Sequence, residues 1–232
     1  MNAPIPANEA ERLAALRDYH VLDTEAEQSY DDIVVLASHI CRVPISMISL
    51  VDESRQWFKS RLGLRDQETP RKVAFCAHAI LQQEPLIVPD ARKDRRFSDS
   101  SLVTGEPHIR FYAGFPLVNP EGLALGTLCA VDRKPRRFSP EQIKAMHALA
   151  RQVMALLETR RVSARLATAL DHVKILKGLL PMCAWCKRIR DDQGYWDQLE
   201  TYFHNYTGID FTHGICPECL KKVNADSPTI PA

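Results

Sequence analysis

Between Pro140 and Gly178 the chain contains no further glycine or proline. A run of that length without a helix breaker predicts one helix far longer than those of ordinary globular domains. Its start is marked as well. Ser139 suits the N-cap, Pro140 the first helical position, and Gln142 completes a capping box. Leu149, Val153 and Leu156 mark an apolar stripe in the first half. After a break in phase, apolar residues resume at Val162, Leu166, Ala169, Val173, Leu176 and Leu180. Steps that alternate between four and three are the seam of a coiled coil, and the jump from Leu156 to Val162 leaves that phase. The first half is expected to lie on its own domain. Residues 161–180 are expected to be a linker that pairs two copies as a homodimer.

The part before the helix can supply a core, since 45% of the 232 residues are hydrophobic. The formal net charge of +1 gives no general pull toward nucleic acid or anionic lipid. No apolar run approaches the roughly 18 residues needed to span a bilayer. The opening MNAPIPANEAERL lacks a basic stretch followed by an apolar one, as a secretory leader would have. These features predict a soluble cytoplasmic protein. Helical spacing runs through residues 8–20 (Leu13, Leu16, Tyr19) and 25–42 (Ile33, Leu36, Ile40, Cys41), and Pro44 stops the second helix. Ile45–Val51 and Gln56–Leu62 read as strands around a polar loop, Lys72–Gln82 as a short helix, and the residues before Pro89 as a short strand. A hairpin follows, turning at Asn119-Pro120-Glu121-Gly122. This order predicts an α+β fold, an antiparallel sheet flanked by helices.

Four short motifs fall in this region: VPDA at Val88–Ala91, D-x-R-F at Asp94–Phe97, IRFYAG-x-PL at Ile109–Leu117 and LGTLC-x-VD at Leu125–Asp132. Together they resemble the GAF domains of bacterial sensor kinases and diguanylate cyclases, from about residue 10 to about residue 160. The resemblance implies a sensory domain over residues 1–160, with a small-molecule pocket on one face of the sheet and helices that dimerise on the other. Candidate ligand contacts are Trp57, Cys76, His78, Arg110, Tyr112 and Cys129. Arg110 and Tyr112, two apart on a strand, should share a face. Cys76 and Cys129 are 53 residues apart with no cysteine between them. GAF-type free methionine sulfoxide reductases cluster their cysteines closely, so this spacing argues against reductase chemistry. The signatures of cyclic-nucleotide binding and bilin attachment are missing from this region. His147 and His172 lack the neighbours of a phosphoacceptor, and the basic runs Arg92–Arg96 and Arg133–Arg137 sit beside Asp94 and Asp132 as solvated loops would. No catalytic residue stands out, so the protein is expected not to be an enzyme.

Behind the helix lie two C-x2-C pairs, Cys183 with Cys186 and Cys216 with Cys219. A two-residue spacer lets one tight turn aim both sulfurs at a single point, and two such turns complete the tetrahedron of a structural Zn²⁺ site, with iron less favoured. Residues 181–222 are too few for a self-sufficient core, and a structural zinc contributes on the order of 10–16 kcal/mol in finger peptides. Trp185, Tyr195, Trp196, Leu199, Phe203, Phe211 and Ile215 are expected to form a small core around it, with residues 223–232 a flexible tail. Lys187, Arg188 and Arg190 would offset the thiolate charge. Acidic residues balance the basic ones, so nucleic acid is not the expected partner. The stretch is similar to a short cysteine motif at the C-termini of bacterial signalling proteins, which implies a signalling-protein partner. The rival readings are a thiol–disulfide redox switch or GAF-type reductase, and a zinc-dependent regulator that binds nucleic acid.

Overall fold

The computed structural model describes residues 4–178, 181–191 and 193–225. The chain divides into two compact units, Met1–Ala167 and Thr168–Ala232.

In the first unit, helices α1 (Glu9–Asp18) and α2 (Gln28–Cys41) lead into a sheet of six strands. The strands are β1 (Ile45–Val51), β2 (Arg55–Leu62), β3 (Glu68–Pro70), β4 (Leu86–Val88), β5 (Phe111–Val118) and β6 (Ala124–Asp132). Their order across the sheet is β3-β2-β1-β6-β5-β4, antiparallel at each pairing. Both hairpins lie where the sequence predicts them. Gly122, at φ 82°, donates to the Asn119 carbonyl and closes the β5–β6 turn. Two local readings change. The expected helix over Lys72–Gln82 contracts to α3 (Phe75–Ala79), preceded by a 3₁₀ turn at Arg71–Val73. Strand β3 has no sequence pattern, because three residues pairing along one edge of β2 carry too little alternation to read.

The alternation of β5 and β6 divides the core in two. Phe111, Ala113, Phe115, Leu117, Leu128 and Ala130 face α1, α2 and the long helix, and join Leu16, Ile33, Val34 and Val153 in one cluster. Tyr112, Cys129 and Val131 face the other way and join Phe75, Cys76, Phe97 and Met47 in a second. A strand reverses side-chain direction at every residue, so one hairpin furnishes both cores.

Helix α4 (Ser101–Thr104) is a single turn, and helix α5 runs over Pro140–Gly178, 39 residues. The capping box forms as expected: the Ser139 amide donates to Gln142 Oε1 at 3.0 Å, and the Gln142 amide to Ser139 Oγ at 3.3 Å. Met146, Ala150, Val153 and Leu157 are its buried face, while Leu149 and Leu156 pack at the margin. Beyond them Arg160 pairs with Glu27 at 2.7 Å and Arg161 with Glu121 at 3.0 Å. Val162 and Leu166 are then 59% and 58% exposed. Of the other predicted seam positions, Ala169 is exposed, and Leu180 and the side chains of Val173 and Leu176 lie outside what the structure describes. Among the described residues no helix is long and apolar enough to cross a membrane.

The second unit has a two-stranded ribbon, β7 (Ile189–Arg190) with β8 (Trp196–Asp197), followed by α6 (Leu199–Thr207) and α7 (Pro217–Ala225). The expected aromatic core does not close. Trp185 is 95% exposed, and Tyr195 and Ile215 are exposed, while Ile189 is buried and Phe203 meets Phe211 edge-on. So short a segment has too little surface to fold over seven large side chains.

Candidate functional site

Two places carry chemistry. The first lies on the face of the sheet covered by α3. Tyr112 on β5 and Cys129 on β6 point there, and the first turn of α3 brings Cys76 against them. The two sulfurs are 3.4 Å apart. The Tyr112 hydroxyl is 3.4 Å from the Cys76 sulfur, to which it donates, and 3.5 Å from that of Cys129. The Thr127 hydroxyl, two residues along β6 and so on the same face, is 2.8 Å from the Cys129 sulfur. All four side chains are buried. Gly114 makes room for them. It pairs with Cys129 across the ladder, and a Cβ there would lie 2.1 Å from the Tyr112 hydroxyl oxygen.

Burial raises the cost of charging any of these groups. For Cys76 the hydrogen bonds from Cys129, Thr127 and Tyr112 outweigh burial and hold the thiol below its ordinary range. The Cys129 thiol is pushed up, by burial first and then by its role as donor toward Cys76. Burial and the adjacent thiols also push the Tyr112 phenol up.

Cys76 and Tyr112 form part of the wall of a cavity of about 570 Å³. Its buried lining is largely apolar, with Ile45, Met47, Phe58, Phe75 and Val131 beside the buried amide of Gln56, and exposed charged residues border it at Arg65, Asp66, Glu106 and Arg133. That combination of an apolar interior and a few polar groups suits a small organic ligand.

Of the six residues predicted from sequence, the fold gathers three, Cys76, Tyr112 and Cys129. Trp57 is buried in the opposite core, against the helices. His78 stands edge-on to Phe97 at 4.9 Å, and burial, then Arg96, holds its imidazole below the usual range. Arg110 precedes β5, and its guanidinium donates to the carbonyls of Val103 at 2.7 Å and Ile109 at 3.1 Å, so it braces a loop. The inference from the 53-residue separation of Cys76 and Cys129 does not survive, because β6 and α3 are neighbours in space. Thr127, Gly114 and the charged border were not singled out from sequence. The Tyr-x-Gly spacing of Tyr112 and Gly114 is the one local sign of the tight approach. In the first basic run Arg92 pairs with Asp90 at 2.9 Å and Arg96 with Asp94 at 2.6 Å, and in the second Arg136 pairs with Asp132.

The second place is the pair of cysteine turns. The Cys186 amide donates to Cys183 Sγ at 3.5 Å, and the Cys219 amide to Cys216 Sγ at 3.5 Å. Those amides, led by Cys186 for the first turn and Cys219 for the second, hold the thiols of Cys183 and Cys216 below the usual range. Lys187, at φ 61°, closes the first turn by donating to the Cys183 carbonyl. Each turn presents two thiols of the kind zinc takes. Among the described residues, no group of three or more His, Cys, Asp or Glu side chains is gathered around one point.

The six-stranded antiparallel sheet carries α1, α2 and α5 on one face and the cavity on the other. The family model described as GAF domain matches residues 25–157, more than half of the chain, and the protein belongs to that family. It is 43% identical over 159 residues to a cyclic di-GMP phosphodiesterase of Pseudomonas aeruginosa, a match covering 68% of this chain and 27% of the relative. The chain thus spans about a quarter of the length of that curated relative. Among solved structures it is similar to the GAF domain of Thermosynechococcus elongatus PixJ in its blue-light-absorbing form (TM-score 0.52, 18% identity, 69% of this chain and 96% of that one). It is also similar to the GAF domain of an Acinetobacter phosphoenolpyruvate-protein phosphotransferase (TM-score 0.50, 17% identity, 67% and 96%). At such identities these structures show the fold. The curated relative corrects one expectation. The sequence suggested a protein without enzymatic activity, and the relative is an enzyme by name. The lack of a catalytic motif in a sensory segment does not set it apart from enzymes that contain such a segment.

Proposed function

We propose that the GAF domain binds a small organic molecule in the cavity beside Cys76 and Tyr112, and that occupancy controls an output in cyclic di-GMP signalling. The cavity of about 570 Å³ carries this reading, since an apolar interior bordered by Arg65, Asp66, Glu106 and Arg133 fits a compact ligand with an ionic end. The sequence relationship to a cyclic di-GMP phosphodiesterase supports the choice of output. The relay runs through α5. Val162 and Leu166 are apolar and exposed within one chain, and pairing with a second copy would cover them. In the same proposal Cys183, Cys186, Cys216 and Cys219 hold one Zn²⁺, which draws the two cysteine turns together and folds the module that meets a partner protein in the cytoplasm.

Native mass spectrometry of the untagged chain tests the proposal, because retained ligand, dimer mass and zinc appear in one spectrum. The expected species is a dimer with one zinc and one small molecule per chain. Val131→Trp should fill the cavity and remove the small molecule while leaving zinc in place. A bare chain mass, together with no thermal shift across a panel of metabolites, would overturn the ligand reading. Leu166→Glu should convert the dimer to a monomer, and an unchanged dimer would place the contact elsewhere.

A further inference from the structure

The thiol pair is more than the ligand reading needs. An apolar wall could be built from any small hydrophobes, yet here two sulfurs lie 3.4 Å apart with two buried hydroxyls, Tyr112 and Thr127, directed at them. Gly114 is held without a side chain so that the Tyr112 hydroxyl can reach the pair. The two thiols differ in access, since Cys76 lines the cavity and Cys129 lies behind it. We propose that Cys76 and Cys129 are a reversible dithiol–disulfide pair, oxidised by a small hydroperoxide that enters the cavity. This goes beyond the ligand reading and does not depend on it, because the peroxide need only reach Cys76.

The chemistry balances in two steps. The Cys76 thiol gives up its proton and the thiolate attacks the peroxide: a sulfur–oxygen bond forms, the oxygen–oxygen bond breaks, and the departing oxygen takes up that proton and leaves as an alcohol, or as water from hydrogen peroxide. Cys76 is then a sulfenic acid. The Cys129 sulfur attacks it, the sulfur–sulfur bond forms, the sulfur–oxygen bond breaks, and water carries away the hydroxyl and the thiol proton. A small dithiol reverses the change by thiol–disulfide exchange. The hydrogen bonds that hold Cys76 below the ordinary thiol range supply the attacking thiolate, and the raised Cys129 stays protonated until its turn. Closing the bond brings the sulfurs to about 2.05 Å. That draws α3 toward β6 and removes both thiols as partners of the Tyr112 hydroxyl, so oxidation would reshape the cavity wall.

The test uses the whole chain, reduced with dithiothreitol, desalted, exposed to stoichiometric hydrogen peroxide, quenched in acid and mapped by peptide mass spectrometry. The expected result is one linked species joining the Cys76 and Cys129 peptides, lighter by two hydrogens and restored by dithiothreitol. Cys41 is the internal control. It is buried in the other core, where burial pushes its thiol up to about 12, and it should stay reduced. In Cys129→Ser, dimedone should label Cys76, whereas in Cys76→Ser it should leave Cys129 unlabelled. Should either variant fail to fold, the wild-type map decides alone. If Cys76 and Cys129 both remain free thiols after the exposed cysteines at 186, 216 and 219 have oxidised, the proposal is wrong.

Discussion

Cys183 and Cys186 are neighbours because one tight turn makes them so, and the turn's own amide donates to the first sulfur. Cys76 and Cys129 are neighbours because a helix and a strand, 53 residues apart in sequence, pack on the same face of a sheet. The first arrangement is local, with Cys183 half-buried and Cys186 exposed, and the second is remote and buried. The difference teaches what each site depends on. A local pair survives as long as its turn does, but it needs an outside agent such as a metal to join it to the other pair. A remote pair exists only while the whole core is intact, and there the fold itself sets the geometry.

The largest expected effect breaks the local site. Cys183→Ser, or a strong chelator, should remove coordination worth on the order of 10–16 kcal/mol in finger peptides. Hydrogen exchange should then lose protection over β7, β8 and α6 and keep it over the six-stranded sheet. Unchanged protection with no zinc in the untreated protein would show that the two turns do not build a metal site.

The remote site should fail through the core instead. Phe115 is buried between the sheet and the helices, and Phe115→Ala should cost about 3–5 kcal/mol in urea unfolding of the first unit. Zinc content should be unaffected. A matched loss of zinc would mean that the two units do not fold separately.

Gly114→Ala is a finer probe. Its methyl group would meet the Tyr112 hydroxyl oxygen at 2.1 Å, so a cost of about 1–3 kcal/mol is expected. Alkylation of Cys76 in the native protein should also quicken as the hydroxyl is displaced. An unchanged rate would mean that Tyr112 does not shield the pair.

Acid should separate the two regions with the smallest effect. Glu9 is partly buried, which by itself would raise its carboxyl, yet ion pairs with Arg12 at 2.7 Å and Arg71 at 2.5 Å lower it to about 2. A depressed folded-state carboxyl stabilises above its unfolded value near 4.5, and that stability is lost as pH falls from there toward 2. Glu9→Gln should flatten the acid limb of the first unit in this window. A metal held by thiolates should be released at higher pH, as the sulfurs protonate. Loss of both in one transition would erase the distinction.

The sequence by itself determined whatever depends on neighbours along the chain. The length of α5 and its capping box follow from Ser139, Pro140, Gln142 and the lack of breakers, and the β5–β6 turn follows from Asn119 to Gly122. The two cysteine turns are equally local. A strand reverses side-chain direction at each residue, so β5 and β6 each had to present two faces. Which face met the helices and which the cavity was a matter of packing, and so Trp57 went to one core and Tyr112 to the other. The meeting of Cys76 with Cys129 was likewise decided by tertiary structure, as was the need for Gly114 beneath the Tyr112 hydroxyl. Contacts between distant segments depend on how whole elements bury their apolar faces, and spacing along the chain carries no record of that.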